Sequence, residues 1–445
     1  MRFLAIISVL LFSKLAYTQG GLGMTLLKDV HQSSYLNPAN IQEGEDLKIG
    51  LPIVSNVMFE GSSSEFQISD FLYPNSDSNY LMIDPQAVYQ EVNTKANFQL
   101  GASYDWLSLS KNLNENLNLN FAIVERINIS GSLPYNLLNL AATGNAGSLV
   151  GDNIGFESLD AEFLWYREYR IGLATKISDK INFGGAVKYL QGISSFQTIS
   201  NSLNLKTEED FFDLSLRGDF SYSTSNMNMI TADSGISIFS KTPFWSTNHG
   251  VGVDLGLSFK MNEKTDFSLS LLDFGTINWK NRTQNFESNF DTLSFSGLNL
   301  LELFSADSNV ANLDAGSFNT DSVFNLLEIE SSPSSYSTSL PFSILMSFNY
   351  QLSEKSSLSG VLRSRKFQSF WATAVQIAYL REVSESLTIG GSYSAGTNGI
   401  FNLGFMGTYD LGPVQVYLVS DNIIGSFLPQ NIRFWSTRAG INLKL

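Results

Sequence analysis

The stretch Val251-Gly252-Val253-Asp254-Leu255-Gly256-Leu257-Ser258-Phe259 runs through Lys260-Met261-Asn262-Glu263-Lys264 and returns as Thr265-Asp266-Phe267-Ser268-Leu269-Ser270-Leu271. Apolar residues alternate with Gly, Ser and Asp on both sides of an Asn-Glu-Lys turn. Period-two alternation marks a strand with two unlike faces. Asn, Asp and Ser suit the turn because their side chains bond the local backbone and tolerate unusual φ. The stretch therefore reads as a β-hairpin with one apolar and one polar face.

The unit recurs. Related turns stand at Leu113-Asn114-Glu115-Asn116, Ile177-Ser178-Asp179-Lys180, Leu352-Ser353-Glu354-Lys355 and Val383-Ser384-Glu385-Ser386. Asp410-Leu411-Gly412-Pro413 makes a sixth tight connection with Gly and Pro. Trp165, Tyr169, Ile171 and Leu173 alternate before the second turn, and Ile181, Phe183, Val187 and Tyr189 after it. Phe342, Ile344, Met346, Phe348 and Tyr350 lead to Leu358 and Leu362 around another. Six hairpins give about twelve strands, two to a hairpin. A first strand from Leu47 to about Phe59 and a last from about Asn431 to Leu445 raise the expectation to about fourteen.

This pattern predicts an all-β chain forming a transmembrane, antiparallel, up-and-down β-barrel. An even strand number puts both termini on one side, and short turns belong on the periplasmic side of such barrels. The other connections fall near 60–96, 131–162, 196–248 and 281–340, with short ones near 370, 398 and 425. A soluble β-propeller or string of sandwiches lacks this alternation of very short and very long connections. Phe434, Trp435, Ile441, Leu443 and Leu445 form an aromatic and apolar C-terminal segment that fits a barrel. Tyr350, Trp371, Tyr379, Tyr409 and Trp435 fall near strand ends, where ring side chains anchor a barrel at headgroup depth.

Composition agrees. The 445 residues are 43% hydrophobic and only 16% charged, a thin charged coat for a soluble protein. A net charge of -15 argues against nucleic acid as a partner. It suits an acidic surface bridged by divalent cations to lipopolysaccharide, with outer-membrane lipid around the wall. The absence of cysteine excludes disulfides, thiolate metal sites and a lipoprotein anchor. Arg2 and the apolar run Phe3–Phe12 read as a secretory signal, with small residues at Ala16 and Thr18. Residues 1–18 are then the signal peptide, 19–46 an N-terminal segment and 47–445 the barrel.

Glu168, Arg170, Lys188, Arg363 and Arg365 fall opposite the apolar positions. On the lipid face near mid-membrane an Arg or Lys would cost about 2–4 kcal/mol, so these charges are expected in the lumen. They could line a cation-rich conduit or form an internal salt-bridge network; the second is favoured because buried charges need partners. The 281–340 connection carries eight Asp or Glu and one basic residue, Arg282, without calcium-loop spacing. His31 and His249 are the only histidines and lie far apart. No nucleophile elbow, dinucleotide fingerprint or metal-ligand cluster is present, so no enzyme, cofactor or metal is expected.

Lys28-Asp29-Val30-His31-Gln32-Ser33-Ser34-Tyr35-Leu36-Asn37-Pro38-Ala39 resembles a large uncharacterised family of Bacteroidota outer-membrane proteins. Tyr166–Gly172, Gly184–Gly192, Asp254–Gly256 and Ser270–Trp279 resemble it as well, while the C-terminal part agrees in architecture more than in motif. Tyr35–Ala39 is also similar to the start of the PorP/SprF proteins of type IX secretion and gliding. More distantly the whole resembles the fourteen-stranded FadL-type barrels, PorV among them. That resemblance implies that residues 19–46, with His31, Tyr35, Asn37 and Pro38, enter the lumen as a hatch; Asn37-Pro38 reads equally as a turn before the first strand. It places the chain in a Gram-negative outer membrane, in Bacteroidota. The functional expectation is a non-enzymatic accessory or scaffold for secretion, gliding or surface assembly, with an envelope protein as partner. The alternative is passive transport of a hydrophobic small ligand.

Overall fold

The structure is a computed structural model describing residues 21–42, 47–67, 69, 72–74, 81–83, 89–144, 149–209, 213–227, 246–288, 292–295, 329–396, 399–428 and 432–445. Residues 1–18, expected to be a signal peptide, and most of the acidic 281–340 connection lie outside these residues.

Fourteen wall positions close into an antiparallel barrel. Position β1 holds two short strands, Leu47–Gly50 and Val57–Ser63. Then follow β2 (Lys95–Asn114), β3 (Leu117–Pro134), β4 (Asp160–Ser178), β5 (Ile181–Asn201), β6 (Asn248–Asn262) and β7 (Thr265–Trp279). Position β8 joins Tyr336–Ser339 to Phe342–Ser353. The wall continues with β9 (Ser356–Lys366), β10 (Trp371–Ser384), β11 (Leu387–Gly396), β12 (Gly399–Leu411), β13 (Val414–Ser420) and β14 (Phe434–Lys444). Both parts of β1 pair with β14 on one side and β2 on the other, which closes the ring.

All six expected hairpins are present, each with a two-residue turn. The turn chemistry is visible in the bonds. Asn114 Oδ1 accepts from Asn116 N–H, and Asn262 Oδ1 from Lys264 N–H, both at 2.9 Å. Gly412 has φ +61, the left-handed conformation that glycine adopts without a Cβ clash. The wall alternates as a membrane barrel requires. Val251, Val253, Leu255, Leu257 and Phe259 are exposed on the outside, whereas Asp254 on the other face is buried. No helix among the described residues is long and apolar enough to cross a membrane.

Two differences from the sequence reading have local causes. The first strand is not continuous: the chain leaves the ladder at 51–56, with Ile53 at φ +70 and Ser55 and Asn56 turned inward and buried. The connections at the long-loop end are partly structured. Strands run on to Pro134 and Asn201, helix α1 (Tyr135–Thr143) follows β3, and α2 (Ile423–Phe427) follows β13. A separate four-stranded sheet joins Asn153–Gly155, Asn204–Thr207, Leu214–Arg217 and Thr292–Phe295. Leu140, Ile154, Phe156, Leu205 and Leu214 form its own apolar core.

Candidate functional site: a filled lumen

Residues 21–42 lie inside the barrel as two short 3-10 turns, Gly23–Leu26 and His31–Tyr35, and are nearly all buried. One side of this segment is apolar. Leu22, Met24, Leu27, Val30 and Leu36 pack against inward residues of the wall that include Leu345, Val361, Met406 and Val419. The other side is fixed by hydrogen bonds. Asp421 accepts from the backbone N–H of Gly21 (2.5 Å), Leu22 (3.2 Å) and Gly23 (2.9 Å). Gln32 and Asn442 exchange reciprocal amide bonds at 2.8 and 3.0 Å. Tyr35 donates to Asp105 at 2.8 Å, and Asn37 to Ser258 at 3.2 Å.

Glycines let the segment touch the wall. A Cβ at Gly184 would sit 1.9 Å from the Pro38 carbonyl oxygen, and one at Gly256 would sit 2.7 Å from Ala39 N. Only glycine admits so close a backbone approach.

His31 bonds Ser108 Oγ through Nε2 at 3.0 Å. Burial, assisted by the charge of Lys48, pushes its imidazole down from 6.5 to about 3. A withdrawn segment would take up that proton near pH 6.5, whereas the docked one resists to about pH 3. Docking therefore keeps its full stability above about pH 6.5 and loses it progressively toward pH 3. Brief conductance openings in a planar bilayer should accordingly become more frequent as the pH falls from about 7 to about 4.5. His31→Asn should flatten that rise. Openings with the same pH dependence in both proteins would refute the account.

Above His31 lies a dense charge cluster. Lys188 Nζ is 2.7 Å from Asp254, 2.6 Å from Asp273 and 3.7 Å from Glu168. Arg126 bonds Glu168 at 2.8 Å, and Arg170 approaches Asp254 at 3.4 Å. Arg170 also donates to the Ser34 carbonyl at 2.9 Å and stands over the Tyr35 ring, tying the cluster to the luminal segment. Asp273 reaches the cluster through a strand irregularity: it has φ +60, and Leu272 and Asp273 are both buried.

The residues singled out in sequence thus fall into three groups in the lumen, with His249 apart from them. Glu168, Arg170 and Lys188 share this cluster. Arg363 and Arg365 lie nearer the long-loop end, where Arg365 pairs with Glu60 at 2.9 Å and Arg363 donates to Ser343 at 3.2 Å. His31, Tyr35, Asn37 and Pro38 belong to the luminal segment. His249 is on the outer face, where Nδ1 meets Tyr189 Oη at 2.6 Å. Sequence reasoning missed Asp254, Asp273, Arg126, Glu60 and Asp421. It also missed an ion pair on the outward face, Arg167 with Glu125 at 2.8 Å, capped by the Trp106 and Trp165 indoles. At the hairpin-turn end, below the segment, opens a vestibule of about 900 Å³ lined by Lys28, Asp29, Lys176, Lys260, Asp266 and Arg381 among others.

A fourteen-stranded transmembrane β-barrel filled by its own N-terminal segment is the class that this fold and lumen define. The chain belongs to the family of unknown function DUF5723, whose pattern matches residues 38–421. No curated protein matches it. Among solved structures it is similar to the Pseudomonas putida toluene transporter TodX, at 10% identity and TM-score 0.40, over 97% of this chain and 93% of that one. It is also similar to a Pseudomonas aeruginosa FadL homologue, at 9% identity and TM-score 0.38, over 92% and 91%. The translocator domain of the autotransporter NalP from Neisseria meningitidis follows at 9% and 0.32, over 91% and 90%. At such values the likeness says nothing of what this chain binds.

Proposed function

We propose that this protein is a non-enzymatic barrel of a Gram-negative outer membrane, closed by its own N-terminal segment and serving as an envelope accessory or scaffold. The observation that carries the reading is the filled lumen: the segment is bonded to Asp421, Asn442, Asp105 and Ser258 around the ring, and the Lys188 cluster beside it is internally paired. A wall so occupied suits a platform better than an open pore. In this reading the hairpin turns and both termini face the periplasm, and the long-loop end meets lipopolysaccharide and a protein partner. Secretion or gliding as the process, and Bacteroidota as the source, rest on the resemblance of Tyr35–Ala39 and its neighbours.

Two measurements test it. The purified barrel in a planar bilayer should stay closed at neutral pH apart from rare brief openings, and affinity purification from the native membrane should recover a defined envelope protein. An open ohmic pore, or recovery of the barrel alone with a lipid-like molecule, would replace the reading. Asp421→Ala removes the acceptor of three backbone N–H groups and should raise the frequency of openings about tenfold or more, given about 1.5–3 kcal/mol for bonds to a charged acceptor. An unchanged frequency would show that Asp421 does not hold the segment.

Transport of a hydrophobic small molecule is the second reading. It is favoured by the apolar side of the segment, since withdrawal would bare Leu345, Val361, Met406 and Val419 along the wall.

A further inference from the structure

Arg438 of β14 points into the lumen and is 7% exposed. Among the described residues its one hydrogen-bond partner is the Met58 sulfur, at 2.9 Å from Nη2, and its Nε and Nη1 have none. Each carboxylate that might neutralise it is already engaged. Asp421 accepts from Gly21, Leu22, Gly23, Gln376 and Ser436. Asp105 accepts from Tyr35 and Asn56, and Glu60 pairs with Arg365. A second guanidinium comes to the same place. The point where a Cβ at Gly21 would stand is 3.6 Å from Arg438 Nη2 and 4.0 Å from Arg363 Nη1. Arg365 follows two residues along β9.

Like charges brought together out of water repel, and an unpaired buried cation is unfavourable unless an anion joins it. Lys188, Arg126, Arg170 and Arg365 each have a carboxylate within ion-pair distance, whereas Arg438 has none among the described residues. Guanidinium donors match the oxygens of carboxylate and phosphate groups.

We propose that Arg438, with Arg363 beside it, forms an oxyanion-binding site in the lumen, taking a carboxylate or phosphate group next to the start of the N-terminal segment. The oxyanion could be a free ion or the head group of an amphipathic molecule. It would neutralise the unpaired guanidinium and bridge wall to segment, so bound anion and docked segment stabilise each other. The site stands whether the barrel is a scaffold or a transporter.

The full chain, purified in detergent and exchanged into chloride, is titrated with inorganic phosphate, acetate or decanoate, and followed by calorimetry and thermal unfolding. Wild type should bind at least one oxyanion and unfold at higher temperature with it. Arg438→Gln should weaken binding about tenfold or more, the loss of a charge-assisted bond. Arg438→Lys should retain part of it. Binding of phosphate or acetate supports a free-ion site, and binding of decanoate alone supports a head-group site. Arg438→Gln in chloride should unfold no lower than wild type, since it removes an unpaired cation; this also verifies that it folds. No binding of any oxyanion, or equal binding by wild type and Arg438→Gln, overturns the assignment.

Discussion

Lys188→Met should lower the unfolding free energy of the barrel by about 3–5 kcal/mol, the range for breaking a buried ion pair from one side. The ammonium group touches Asp254 and Asp273 and stands near Glu168, with 2% of the side chain exposed. Methionine fills the volume but leaves the carboxylates facing one another. Arg170 and Arg126 offset part of that charge, through Asp254 and Glu168 respectively. Asp273 has no second cation within ion-pair distance among the described residues, so it bears the loss most directly. Urea unfolding in lipid vesicles measures the change, and Lys188→Met combined with Asp254→Asn and Asp273→Asn should recover most of it. A loss below about 1 kcal/mol, the scale of an exposed pair, would mean that water reaches the cluster freely.

The second large effect is expected on the opposite face. Arg167 and Glu125 share the parity of Ile171 and Leu119, both exposed apolar residues of the outer wall. They are nevertheless hidden, because Trp165 donates to Glu125 at 2.6 Å, Trp106 donates to it at 2.9 Å, and Arg167 stacks 5.4 Å from the Trp106 ring centre. Arg167→Leu removes the countercharge and leaves an ionised carboxylate against the bilayer, again about 3–5 kcal/mol. Arg167→Leu with Glu125→Gln should fold within about 1 kcal/mol of wild type, since the amide still accepts from the indoles and no net charge remains. Equal losses in the single and double variants would show that the indoles, not the charges, hold this patch.

How much of this was legible follows from how local each signal is. The six turns were readable because the signal is local: Asn114, Ser178, Asn262 and Ser353 bond backbone N–H groups within their own hairpins, and Gly412 takes its left-handed conformation within its own. The strand count follows from those turns and the alternation between them. The break in β1 was not readable: Leu51 and Ile53 continue an apolar alternation, and only pairing with β14 and β2 reveals the departure at Ser55. Asp273 was hidden for a related reason. A strand irregularity puts consecutive residues on one face, and counting by twos assigns it to the wrong one. The small outer sheet pairs pieces far apart in the chain, Asn204 with Gly155 and Leu214 with Phe295, so no local pattern announces it. Arg167 and Glu125, by contrast, carried a readable parity that went unused.

The break in β1 has a consequence for how the ring is held shut. It turns the Ser55 carbonyl inward, where Gln32 donates to it at 3.1 Å and Tyr417 at 2.8 Å, while Gln32 also grips Asn442 on the final strand. These groups lie at the two ends of the chain and meet only at the seam. If β14 zipped onto β1 around an empty lumen, the Asn442 amide would lose its partner in Gln32, and Asp421 would lose three donors. Closure of the ring and filling of the lumen therefore share the same bonds, and the N-terminal segment is as much a part of the seam as the two strands that meet there.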